Sequence, residues 1–80
     1  MMTRTQWMAL PEMLRRRDVL VLLQWDERTL EALTREVQSA GDLQALPART
    51  IAAIRPSQPN GEPGRRFYFK STLEPFMTLG

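Results

Sequence analysis

Nine consecutive residues, Pro56-Ser57-Gln58-Pro59-Asn60-Gly61-Glu62-Pro63-Gly64, hold three prolines and two glycines. Proline has no backbone donor and glycine resists being fixed, so neither a helix nor a central strand runs through this stretch; it is a loop. The constraint spreads to both sides. Thr50-Ile51-Ala52-Ala53-Ile54-Arg55 before it and Arg65-Arg66-Phe67-Tyr68-Phe69 after it carry the β-branched and aromatic side chains that suit a pleated surface. Two such segments joined by one loop make an antiparallel hairpin with a nine-residue tip. The rest of an 80-residue chain is then committed to building one modest core around that hairpin.

The residue types narrow the chemistry. There is no cysteine and no histidine, which removes thiolate ligands, disulfides, the commonest metal ligand and the commonest base near neutral pH. Carboxylates, hydroxyls and arginines remain, and Asp26, Thr29, Ser57 and Ser71 form no nucleophile–base pattern. An enzyme is not expected, nor a metal or cofactor. The apolar run Val19-Leu20-Val21-Leu22-Leu23 is five residues long and follows three arginines, far short of the roughly 20 residues of a membrane span and unlike a secretory leader. A cytoplasmic protein is expected.

Upstream of the hairpin the period is helical. Residues 1–12 read as a lead-in, with Pro11 discouraging helix at Leu10 and with Trp7, Met8 and Leu10 apolar enough to dock on a core; residues 13–80 form the domain. Residues 12–15 suit a short extended piece. From about Arg16, Val19, Leu20, Leu22 and Leu23 suit a helix with a broad buried face, although a buried strand fits the same run. Asp18 in the first turn favours the positive helix end. Gln24-Trp25 makes a turn, Asp26 is a good N-cap, and Leu30, Leu33 and Val37 at i, i+3, i+7 mark a second helix to about Ser39, ending near Gly41. Ser71-Thr72-Leu73-Glu74 fits a capping box with Ser71 as cap, so a short helix closes the chain. Alternation along 65–70 puts Phe67 and Phe69 on the core side and Arg66, Tyr68 and Lys70 outside.

Charge is unevenly spread. The net +2 divides into +3 over residues 1–17, −4 over 18–46 and +3 over 47–80. Ten of the eleven basic residues are arginine, the side chain suited to bidentate contact with phosphate or guanine. Both ends are therefore dressed for a polyanion, while the second helix is acidic.

Two stretches carry a family resemblance. Leu14-Arg15-Arg16-Arg17-Asp18-Val19-Leu20-Val21-Leu22-Leu23-Gln24-Trp25-Asp26-Glu27-Arg28-Thr29-Leu30 resembles the opening of excisionase and MerR-type winged helix-turn-helix domains, where a basic-acidic pair starts one helix and a capped Arg-Thr-aliphatic starts the next. Arg65-Arg66-Phe67-Tyr68-Phe69-Lys70-Ser71-Thr72-Leu73-Glu74-Pro75-Phe76 resembles the wing strand running into the closing helix. Gln24 stands where that family has a turn glycine, and the wing tip is longer than usual.

The resemblance implies an α+β fold, a small winged helix-turn-helix with two N-terminal helices, a two-stranded antiparallel wing and a short C-terminal helix. It implies binding of double-stranded DNA, as an excisionase-like recombination directionality factor or a transcriptional regulator near the nucleoid. Arg28, Thr29, Ala32 and Arg35 then lie where such helices meet base edges in the major groove. Arg55, Arg65, Arg66 and Lys70 serve the wing, and Arg16 and Arg17, with Arg15, add phosphate contacts. Useful affinity implies self-association on DNA or an integrase or regulatory partner. Residue chemistry leaves a different class open: Glu31 pairs with Arg35 on a solvated face, or Glu27, Glu31 and Glu36 dock a basic partner, as in a terminase-type assembly factor, an anti-repressor or a DNA mimic.

Overall fold

The computed structural model describes residues 2–56, 59–61 and 64–80. Its elements are α1 (Arg4–Ala9), β1 (Met13–Leu14), α2 (Arg16–Leu23), α3 (Glu27–Leu33), β2 (Thr34–Glu36), a 3-10 helix (Ala40–Ala45), β3 (Ile51–Ile54), β4 (Phe67–Phe69), α4 (Lys70–Leu73) and a closing 3-10 turn (Glu74–Phe76). The fold is α+β. The sheet has four strands in the order β1-β4-β3-β2, not two. β4 pairs antiparallel with both β1 and β3, while β2 runs parallel to β3 with Thr34 opposite Ile51.

The hairpin of β3 and β4 is therefore the middle of the sheet. Ala53 faces Tyr68 and Ile54 faces Phe67 across it, and the amide of Gly64 donates to Pro56 O at 2.7 Å to close the loop. The tip expected over 56–64 lies partly outside the described residues, at Ser57, Gln58, Glu62 and Pro63. Both faces of β3 and β4 are covered by apolar side chains, and the strand residues sort between them with period two. Leu14, Ile51, Ala53 and Tyr68 join Trp7, Val19, Leu30 and Leu73 in the main core. Ala52 and Phe69 meet Val37 on the opposite face, flanked by Met13, Leu43, Leu46 and Ile54.

That sorting corrects one expectation. Phe67 and Phe69 do share a face and Tyr68 takes the other, but the larger core lies on Tyr68's side, and Tyr68 is fully buried. Lys70 follows it inward: its Nζ donates to the carbonyls of Trp7 and Leu10 at 3.0 and 2.9 Å and sits 5.6 Å from the Trp7 ring centre. The lysine thus caps the carbonyl end of α1.

The first residues are helical rather than a plain lead-in. Thr3 Oγ1 accepts from the Gln6 amide at 3.1 Å, and Gln6 Oε1 accepts from the Thr3 amide at 2.9 Å, a reciprocal cap that satisfies two otherwise idle donors. Trp7 follows into the core at 5 % exposure.

α2 and its turn form as the sequence implies. Gln24 takes the left-handed conformation, φ 56° and ψ 38°, and Asp26 Oδ1 accepts from the Thr29 amide at 2.7 Å. The second helix, however, stops at Leu33 instead of reaching Ser39. Thr34 turns its hydroxyl back to Leu30 O at 2.6 Å and adopts extended angles, after which residues 34–36 add to the sheet. Val37 is buried through this strand's continuation, its amide donating to Ala53 O at 2.8 Å. The capping box at Ser71 does not form either. α4 begins at Lys70, and the Ser71 amide donates instead to Glu12 Oε2 at 3.0 Å. Thr72 Oγ1 donates to Phe69 O at 2.7 Å and accepts from the Ala52 amide at 3.1 Å.

Candidate functional site

Three successive arginines open α2, where the exposed amide groups of a helix start already favour negative charge. Arginine there works against helix stability, and Asp18 offsets it from within the first turn, accepting from the Arg15 amide at 3.3 Å. The β3–β4 hairpin brings a second set of arginines up to the first. Arg15, Arg16, Arg17, Asp18, Arg55, Arg65 and Arg66 together line one open groove of about 620 Å³. Six guanidinium groups from three stretches of chain converge there with one carboxylate in the lining.

Those six are not equivalent. Arg66 is tied down: Nη1 donates to Glu31 Oε1 at 2.7 Å and Nη2 to Glu36 Oε2 at 3.1 Å, with 15 % of its side chain exposed. The Tyr68 hydroxyl, 3.4 Å from Nη1, does most to raise its pKa; burial opposes the rise and Glu31 adds to it. Arg16 reaches Glu31 at 3.5 Å and Glu27 at 4.0 Å, and its pKa is also raised, first by Tyr68. Arg55 pairs with Glu36 at 3.5 Å. By contrast, Arg15, Arg17 and Arg65 make no ion pair among the described residues, and all three are exposed. Arg15 rests over the Phe67 ring at 5.2 Å, a cation–π contact that steadies its guanidinium.

Of the residues singled out from sequence, Arg16, Arg17, Arg55, Arg65 and Arg66 meet in this groove, and Arg15 joins them. Arg28, Thr29 and Ala32 are exposed on α3 but do not line it. Arg35 leaves α3 altogether: it lies on β2 and donates through Nη1 to Thr34 O at 2.9 Å. Lys70 is committed to α1 and is not a wing cation. The expected Glu31–Arg35 pair is replaced by Glu31 with Arg16 and Arg66. Sequence reasoning missed Glu31 and Glu36 as holders of the groove arginines; they lie 35 and 30 residues from Arg66, so no local spacing shows the contact.

The groove abuts α3, since Arg16 and Arg66 both reach that helix through Glu31. No helix among the described residues is long and apolar enough to cross a membrane, and no three of their carboxylates are grouped so as to hold a metal ion. No family model, curated protein or solved structure matches the chain.

Proposed function

We propose that the chain binds double-stranded DNA, with the arginine groove seated on backbone phosphates and α3 presented to the major groove as in a winged helix-turn-helix. The observation that carries this reading is the meeting of Arg15, Arg16 and Arg17 with Arg55, Arg65 and Arg66 in one open groove beside α3. A groove of that charge suits an extended polyanion, because counterions released from phosphates drive association. Arg28, Thr29 and Ala32, exposed on α3, are then the candidates for base edges. An excisionase-like recombination directionality factor or a small transcriptional regulator is the role that fits. With only three groove arginines lacking an ion pair among the described residues, useful affinity implies assistance from a second copy or a partner protein.

The alternative, a module docking a basic partner through its acidic helix, is less favoured. Glu27, Glu31 and Glu36 are engaged by Arg16, Arg55 and Arg66 within the chain.

Fluorescence anisotropy of labelled duplexes at low salt tests the reading. The wild type binds, and the Arg17→Ala, Arg65→Ala double variant binds about tenfold or more weakly, since two phosphate contacts are lost. Absence of binding by the wild type, or equal binding by the variant, contradicts it.

A further inference from the structure

One oxygen of Glu31 is held by two guanidinium groups at once. Arg66 Nη1 donates to Oε1 at 2.7 Å and Arg16 Nη2 donates to the same atom at 3.5 Å. The buried Tyr68 hydroxyl accepts from Arg66 Nη1 at 3.4 Å and helps to fix that guanidinium. Two converging guanidiniums suit a phosphate oxygen at least as well as a carboxylate. The holders and the held differ in freedom. Arg66 stays fixed without Glu31, because Nη2 keeps its bond to Glu36 at 3.1 Å and only 15 % of the side chain is exposed. The Glu31 side chain is 46 % exposed, so it can leave into solvent.

We propose that Arg16 and Arg66 form a phosphate subsite at the edge of the groove, and that the Glu31 carboxylate occupies it as an internal substitute until a phosphate displaces it. The proposal rests on the duplex-binding reading of the groove and adds its regulation. Glu31 lowers non-specific affinity by engaging two of the six arginines with its single negative charge. A duplex seated well enough to expel it gains both contacts together. Glu36 has a different part: it touches Arg66 and Arg55 but not Arg16, and so positions the site without filling it.

The test uses inorganic pyrophosphate, which needs no DNA, followed through the arginine side-chain NH resonances of the intact protein. Glu31→Gln keeps shape and removes charge; it should bind pyrophosphate about three- to tenfold more tightly than wild type, the size expected for relieving partly exposed ion pairs. The resonances of Arg16 and Arg66 should move together. Glu36→Gln should gain clearly less. In the wild type, saturating pyrophosphate should shift the Glu31 side-chain carboxyl resonance as that group is released, an arm that requires no variant. Equal affinities for wild type and Glu31→Gln, equal gains in the two variants, or an unmoved Glu31 carboxyl would each overturn the subsite. Duplex titrations score the other reading separately. Pyrophosphate binding in the expected pattern without any duplex binding would uphold the subsite and refute DNA as the ligand.

Discussion

Arg65 and Arg66 are neighbours in sequence with opposite assignments, and replacing each in turn separates them. Arg66→Met keeps an apolar stem but removes both charge-assisted bonds, at 2.7 Å to Glu31 and 3.1 Å to Glu36. Breaking a buried ion pair costs about 3–5 kcal/mol and an exposed one about 0–1 kcal/mol. Arg66 is 15 % exposed but its carboxylates are 46 % exposed, and Arg16 and Arg55 still serve them, so the loss should fall between, at about 1–2 kcal/mol. For a domain of this size that lowers the melting temperature by roughly 5–15 °C. Arg65 is exposed and makes no ion pair among the described residues, so Arg65→Ala should stay within about 0.5 kcal/mol of wild type. Thermal unfolding followed by far-ultraviolet circular dichroism reads both, and adding Glu31→Gln to Arg66→Met should recover part of the loss through their coupling. An Arg66→Met protein that melts with the wild type, or an Arg65→Ala protein that melts as low as Arg66→Met, would refute the division into structural and free arginines.

Other outcomes test the frame that holds the groove. Gln24 sits at φ 56°, where a side chain costs about 1–2 kcal/mol and glycine is at ease; Gln24→Gly should stabilise by about 0.5–1 kcal/mol in chemical denaturation, after glycine's own entropy is counted, and a loss would contradict the turn geometry. Leu30 is fully buried, so Leu30→Ala should cost about 2–5 kcal/mol, much of the roughly 4–12 kcal/mol that 80 residues provide; a loss below about 1 kcal/mol would place that side chain outside the core. The Asp26 pKa is lowered from its ordinary 3.8 by the hydrogen bonds to Thr29. Its contribution is therefore complete above that value and fades as pH falls through the lower folded one. Asp26→Asn keeps a cap without the titration, and melting curves taken down to about pH 2 should show a shallower acid limb in the variant; equal limbs would contradict the assignment.

Much of this was legible in local chemistry. The breaker-rich loop and the β-branched and aromatic residues beside it located β3 and β4, and Asp26 marked the start of α3. What misled was pattern that two conformations share. Leu30, Leu33 and Val37 keep helical spacing, yet Thr34 bends the chain into a parallel strand that β3, 17 residues away, makes favourable. Ser71 and Glu74 match a capping box, but Glu12 reaches the Ser71 amide first. Thr3 and Gln6 form the same kind of box in the segment read as a lead-in. Alternation along β4 was visible, whereas the choice of which face carries the larger core depends on helices far away in sequence. The groove was half visible: its arginines stand out, and the carboxylates that engage three of them do not.

The salt dependence of duplex affinity tests the central claim most directly. Each phosphate neutralised contributes about −0.9 to the slope of log affinity against log salt. Arg15, Arg17 and Arg65, without an ion pair among the described residues, give a slope near −2.7, steepening toward about −4.5 when Arg16 and Arg66 join on release of Glu31. Arg17→Ala should make it shallower by about 0.9. A slope near zero, or one that Arg17→Ala and Arg65→Ala leave untouched, would mean that the groove does not meet phosphate.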